Sequence, residues 1–256
     1  METPHFYAVI IGSEILNGRR NDKHFLYLRD ALLLRGHTLF SSFIIKDDPT
    51  LIHNTFSMIK NDPQAVMFSF GGIGSTPDDL TRQIASDVFS DGTLIAHEEF
   101  THHIIERFGD AAFPYRIHMA ELPKNAGLLR NVINNMSGFS LEERYFFMPG
   151  FPEMSHPMVE EILDRFFPFT TTPLYRKTLI AKTSENTLID VMEQMDSNVD
   201  FSSLPMINGG NPLVEISVAS INETLCQKNF QLFINALDNK SISYEILENN
   251  KNKYFL

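Results

Sequence analysis

The segment Gly71-Gly72-Ile73-Gly74-Ser75-Thr76-Pro77-Asp78-Asp79-Leu80-Thr81 joins three glycines to two adjacent carboxylates. Glycine lets main-chain N–H groups approach a ligand closely, and a helix start adds unpaired N–H groups and partial positive charge. Both favour phosphate, bound by Gly71, Gly72, Gly74, Ser75 and Thr76. Asp78 and Asp79 would repel that same anion. A divalent cation removes the conflict, because Mg²⁺ takes one or two carboxylates and completes its shell with phosphate oxygens and water. Such an ion also polarises phosphorus and acidifies a bound water, so hydrolysis of a diphosphate becomes chemically reasonable. Asp79 and Asp78 are the candidate catalytic acids, and Asp79 with Glu14 the candidate metal ligands.

A second reading of the same residues is local. Thr76 is a suitable N-cap, Pro77 suits the first helical position, and Asp79 stands where a capping-box acid belongs. That reading accounts for Asp79 better than for Asp78, and leaves the glycines unexplained. The segment is not a P-loop, since no Gly-Lys-Ser/Thr follows, and Pro77 stands where the third glycine of a dinucleotide fingerprint belongs. A second polar loop, Gly12-Ser13-Glu14-Ile15-Leu16-Asn17-Gly18-Arg19-Arg20-Asn21-Asp22, closes the first predicted strand. If the first and third strands are neighbours, both loops rim one cleft beyond their C-terminal ends. Gly12, Glu14 and Asn17 then join the ligand site, with Arg19, Arg20 and Asp22 nearby. Arg116 is a further phosphate candidate, with a loop salt bridge as its alternative. His97 and His102 are five apart, about 140° around a helix, so they do not make a zinc pair.

The elements that must position these residues alternate. Phe6–Gly12 is a compact apolar run, as in a buried parallel strand. A helix follows over residues 22–36, with Gly36 at its C-cap. Residues 38–45 are a second strand, and residues 47–61 a helix with Ile52, Phe56 and Ile59 on one face. Residues 65–72 are a third strand, and the next helix carries Leu80, Ile84 and Val88. This βαβαβα order predicts a parallel sheet with helices on both faces. Residues 97–108 suit a helix, the stretch to 139 is irregular, residues 143–149 are a strand, and residues 156–167 an amphipathic helix. Pro168–Pro173 reads as a linker and the polar stretch 248–253 as a loose tail. Between them a β-α-β-β-α-β order predicts a small ferredoxin-like or KH-like layer. The predicted domains are residues 1–168 and 174–249.

Composition sets the outer limits. The chain has 256 residues, 21 basic against 32 acidic, for a net charge of −11. That balance argues against nucleic acid as a partner. No apolar stretch approaches a membrane span, the N-terminal run reads as a strand rather than a signal peptide, and one cysteine fits a reducing compartment. The expectation is a soluble cytoplasmic protein with no membrane partner.

The two loops resemble the G-[DT]-E-[IL]-L-x-G and T-G-G-x-G-P-T-x-D-D-[LI]-T segments of the MoaB/Mog-like molybdopterin-binding fold. The group most similar is the N-terminal portion of competence/damage-inducible protein A, CinA. Arg116–Pro123 resembles its R-x-x-M-A-x-x-P, Asn131–Phe139 its N-x-x-x-x-A-P-G-F, Met148–Met154 its L-P-G-x-P-x-E-M, and Gly209–Ser220 the late strand of its small KH-like domain. The resemblance implies an α/β three-layer sandwich with a mostly parallel sheet, a small α+β domain, and a homo-oligomer. It implies a phosphate-bearing nucleotide or pterin as ligand. Some CinA-type domains are metal-dependent pyrophosphatases acting on ADP-ribose, and the key acid of the fold corresponds to Asp79. The implied cofactor is Mg²⁺, Mn²⁺ or Co²⁺, with molybdopterin as the alternative ligand. The rival activities are non-catalytic molybdopterin binding and molybdopterin adenylyl transfer. CinA's C-terminal amidase domain lies beyond the resemblance, so its activity is not expected here. The departures are Ser13, Lys23, Ser69-Phe70, Ser75, Ser137 (for proline) and Phe151. The acids and glycines are kept.

Overall fold

The computed structural model describes residues 3–169, 174–208 and 210–247. The chain divides into two compact units, Met1–Thr170 and Thr171–Leu256. Most of the sequence-predicted linker and the whole polar tail lie outside the described residues.

The first unit runs β1 (His5–Ile11), α1 (Ser13–Leu16), α2 (His24–Leu34), β2 (Leu39–Ile45), α3 (Pro49–Lys60), β3 (Ala65–Phe70), α4 (Thr81–Phe89), β4 (Leu94–Ala96) and α5 (Glu98–Phe108). Two short 3-10 turns, Gly109–Ala112 and Arg116–Ala120, lead to β5 (Glu121–Pro123), β6 (Gly127–Leu129), β7 (Gly138–Leu141), β8 (Tyr145–Met148) and α6 (Pro152–Phe166). The main sheet has the order β2-β1-β3-β8-β7-β6. Its first four strands are parallel, and β7 and β6 run antiparallel at one edge.

Side-chain alternation splits the sheet between two cores. Tyr7, Val9, Ile11, Met67 and Phe147 pack under α3, α4 and α5. Phe6, Ala8, Ile10, Phe68 and Phe146 pack under α2 and α6. Both faces are covered, which is why β1 and β3 read as unbroken apolar runs. The result is a three-layer α/β sandwich. Local signals fix several ends: Asp48 caps α3 by accepting from the Leu51 N–H at 2.8 Å, with Pro49 at its first position. Gly36, at φ 80°, follows the end of α2.

The structure corrects the start of α4. The sequence placed Thr76 at its cap and Pro77 in its first turn, but α4 starts at Thr81, after Leu80, with no side-chain cap. The Thr81 N–H donates to the Gly72 carbonyl at 3.0 Å, which folds the loop back before the helix can begin. The stretch read as irregular holds β5, β6 and the start of β7, and α6 begins four residues earlier than predicted, at Pro152.

The second unit runs β9 (Tyr175–Ala181), a 3-10 turn (Glu185–Leu188), α7 (Ile189–Met192), β10 (Asp200–Asn208), β11 (Asn211–Ser220), α8 (Glu223–Asn239) and β12 (Tyr244–Leu247). Its sheet order is β10-β11-β9-β12, antiparallel throughout, as in a split βαβ, ferredoxin-like layer. Leu179, Val214, Ile216 and Val218 face Cys226, Phe230 and Phe233 of α8. β10 is a nine-residue strand because it pairs with β11 along its whole length. Among the described residues, no helix is long and apolar enough to cross a membrane.

Candidate functional site

The strands β1 and β3 are neighbours and parallel, so the two polar loops do meet at one rim. A cleft of about 540 Å³ opens there, a size suited to a nucleotide or cofactor. It is lined by Glu14, Arg20, Asp47, the loop from Gly71 to Thr76, Asp78, Asp79, Arg116 and residues 149–151, among others.

The glycine loop is held from below. The Gly71 N–H continues the sheet to the Met148 carbonyl at 2.9 Å. Gly71 has φ 101°, and a Cβ there would lie 2.3 Å from the Ile11 carbonyl oxygen, so the close approach of β1 and β3 requires glycine. The Thr81 hydroxyl donates to the Gly71 carbonyl at 3.1 Å. The Arg82 guanidinium, only 9% exposed, donates to the carbonyls of Ile73 and Gly74. Burial pulls its pKa down, while Asp79 and Glu121 oppose that shift. With its carbonyls so engaged, the loop leaves the N–H groups of Gly72, Gly74 and Ser75 without an acceptor among the described residues. Unpaired amides on a cleft wall are what an anion needs.

Asp79 combines both readings made from the sequence. Its Oδ2 accepts from the Thr76 N–H at 2.8 Å and the Thr76 hydroxyl at 2.6 Å, closing a turn rather than a helix. A Cβ on Gly74 would lie 2.5 Å from that oxygen, so Gly74 makes room for the carboxylate. Oδ1 has no donor among the described residues and is available to the cleft. The Thr76 side chain and Asp78's own amide draw the Asp78 carboxyl below its usual range.

Glu14 lines the cleft, folded over Gly12, where a Cβ would touch its carboxylate at 3.0 Å. Gly12 therefore shapes the site without lining it. Arg20 lies 3.7 Å from Glu14 and over the ring of Phe151. Arg116 lines the cleft, and among the described residues it makes no salt bridge, the alternative to a phosphate role: it donates to the Ala111 carbonyl at 2.7 Å and sits over the Phe108 ring. Asn17 is a correction. It is exposed and outside the cleft lining, because it ends α1 and its Oδ1 accepts from the N–H and Nε of Arg19. Asp22 also stays outside this cleft, accepting from the amides of His24 and Phe25 at the start of α2.

Sequence reasoning missed Asp47 and Arg82. Asp47 accepts from the Ser13 N–H at 2.8 Å, and its own N–H donates to the Ser13 hydroxyl, clasping the ends of β2 and β1. Its place just after an apolar strand was the available signal. Glu14, Asp47, Asp78 and Asp79 outnumber Arg20 and Arg116 around the cleft, so the field opposes a bare diphosphate. Among the described residues no three acidic, histidine or cysteine side chains converge as a ready metal site. The donor set fits an ion shared with ligand phosphates, which needs only one or two carboxylates.

A family model described as "Probable molybdopterin binding domain" matches residues 7–168. The chain belongs to this family. A CinA-like protein of Acaryochloris marina is 26% identical over 227 residues, covering 84% of this chain and 54% of that protein. A CinA-like protein of Citrifermentans bemidjiense is 30% identical over 158 residues, covering 59% of this chain and 37% of that protein. This molybdopterin-binding-family chain thus spans about half the length, or less, of these curated relatives. The crystal structure of CinA from Thermoplasma acidophilum, titled as of unknown function, superimposes with a TM-score of 0.57 at 22% identity, over 62% of this chain and 97% of that one. Over the matched residues the fold is that of the CinA structure.

Proposed function

We propose that the cleft hydrolyses the diphosphate bond of a nucleoside diphosphate compound such as ADP-ribose, with a divalent cation. The observation that carries this reading is the pairing of unengaged loop amides with the free oxygen of Asp79 in one cleft. The N–H groups of Gly72, Gly74 and Ser75 bind phosphate oxygens. Asp79, with Asp78 or Glu14, holds the cation or orients the attacking water. When bound, the cation offsets phosphate charge and lowers the pKa of water. The water oxygen bonds to one phosphorus as the bond from that phosphorus to the bridging oxygen breaks. ADP-ribose and water then yield AMP and ribose 5-phosphate.

The family description supports a second reading, a molybdopterin-binding module without turnover, and an adenylyl-transfer site for the same ligand is a third. The purified protein, incubated with ADP-ribose, FAD and NAD and with Mg²⁺, Mn²⁺ or Co²⁺, separates these. Metal-dependent AMP release, lowered at least about tenfold by Asp79→Asn, is the expected result. Absence of turnover together with tight pterin binding would replace the hydrolase by the binding module. Adenylylated molybdopterin formed from ATP would replace it by the transferase.

A further inference from the structure

Sheet order also arranges the cleft from end to end. Asp47 follows β2, Glu14 follows β1, the glycine loop follows β3, and Pro149 follows β8. Because β7 is antiparallel, Met136 and Ser137, which precede it, reach the same rim. Strands lie ~4.8 Å apart, so Asp47 and Ser137 stand about four spacings, ~19 Å, from each other. The carboxylates gather toward the β2 end. Phe108, Met119, Met136 and Met154 line the cleft away from those carboxylates, with Arg116 over the Phe108 ring, and give it a polarizable wall suited to a flat ring.

Ser137 interrupts that wall. It is 5% exposed, and its Oγ has no hydrogen-bond partner among the described residues. The surrounding chain is fixed on both sides. Asn131 Nδ2 donates to the Met136 carbonyl at 3.1 Å, and the Met136 N–H donates to Asn134 Oδ1 at 3.0 Å. A Cβ on Gly138 would lie 2.3 Å from the Phe147 carbonyl oxygen, so β7 lies close against β8 directly after Ser137. A buried hydroxyl without a partner costs roughly 1–3 kcal/mol, and a rigid frame gives it no local remedy. A turn about χ1 carries Oγ between staggered positions without moving the backbone. A hydroxyl both donates and accepts. It therefore matches a heterocycle edge carrying ring-nitrogen acceptors beside an exocyclic amine.

We infer that Ser137 is a specificity residue that hydrogen-bonds the flat, amino-substituted nitrogen heterocycle of the ligand. The inference rests on reading the cleft as the site of a phosphate-bearing nucleotide or pterin. The polar end then holds phosphate, and the β7 end reads the ring.

Calorimetric titration of wild-type protein and Ser137→Ala tests it, with adenosine, 6-hydroxymethylpterin and inorganic pyrophosphate with Mg²⁺ as separate probes. The expected result is heterocycle binding about five- to tenfold weaker in Ser137→Ala, the worth of one hydrogen bond. Pyrophosphate binding stays unchanged, and the free variant melts no lower than wild type, since only an unsatisfied group is removed. The preferred heterocycle tells an adenine-type from a pterin-type ligand. Equal heterocycle affinity in the variant, no heterocycle binding by wild type, or a lowered melting temperature of the free variant would each overturn the assignment. Wild type that binds the heterocycle but not pyrophosphate would remove the hydrolase reading and leave the Ser137 assignment to stand.

Discussion

In the first unit the chain leaves β1 toward β2 on one side and returns to β3 on the other. The loops beyond those strands diverge and leave a crevice between them. In the second unit every neighbouring pair in β10-β11-β9-β12 is antiparallel, and the layer has no such switch point. A shallow depression in this unit is lined by residues of α8 alone, among them Glu223, Gln227, Lys228 and Asn235. Both units bury an apolar core by the same alternation of side chains. Only the doubly wound one must satisfy loop amides and carboxylates where several strands end. Sheet topology, more than composition, therefore decides where this chain can do chemistry.

Two glycines test that difference most sharply. Gly71 and Gly210 both have positive φ, 101° and 83°. At Gly71 an added Cβ meets the Ile11 carbonyl at 2.3 Å, whereas at Gly210 nothing lies within 4 Å. Gly210→Ala should cost about 1 kcal/mol, the strain of a left-handed alanine. Gly71→Ala should cost about 3 kcal/mol or more, because β1 and β3 must also separate. Denaturant titration followed by far-UV circular dichroism measures both, as the chain has no tryptophan. Equal losses would mean that the crevice floor tolerates expansion.

Two arginines give the next contrast. Arg82 is buried and holds the Ile73 and Gly74 carbonyls, while Arg176 is 39% exposed and pairs with Asp200 at 3.0 Å and with the Ser217 hydroxyl at 2.7 Å. Arg82→Met leaves two inward carbonyls without their donor and should cost about 2 kcal/mol. Its loop amides should also lose their arrangement, weakening pyrophosphate binding about tenfold. Arg176→Met should cost under about 1 kcal/mol, as expected of a half-exposed pair. Unchanged pyrophosphate affinity in Arg82→Met, measured by calorimetry, would detach the arginine from the site.

These contrasts also mark what the sequence could and could not convey. The runs at β1 and β3 announced buried parallel strands because both of their faces are apolar. Asp48 and Pro49 announced the start of α3 because that signal is entirely local. Thr76, Pro77 and Asp79 carried the same kind of signal and misled, since the Gly72 carbonyl, nine residues upstream of Thr81, captures the amide that would have opened the helix. Asn17 misled because its neighbour Arg19 engages it. Asp47 was signalled only by its place after an apolar strand, and its partner Ser13 comes near only in the fold; Arg82 was missed because the glycine loop turns its carbonyls back onto the helix that follows it. The glycines and adjacent acids marked the cleft, and their partners had to be seen in three dimensions.

The last contrast concerns acid. All nine histidines lie in the first unit and none in the second, so any histidine-linked response belongs to the unit with the cleft. His156 stacks on Tyr27 at 3.6 Å and meets the edge of His24, which stacks on Phe70 beneath Gly150. Burial, reinforced by His24, pushes the His156 pKa from 6.5 to about 4, against the pull of Glu153, Asp22 and Glu160. Burial lowers His24 as well. A histidine with a depressed folded pKa is protonated first in the unfolded chain. Its stabilising contribution is therefore complete above about pH 6.5 and falls as the pH drops toward 4, because the unfolded state then binds more protons. His156→Phe keeps the ring stack and removes that titration. Its stability at pH 5, relative to pH 7.5, should exceed that of wild type by up to about 2 kcal/mol, read from paired denaturant titrations. A variant as acid-sensitive as wild type would shift the response to His24 or to the carboxylates of the cleft.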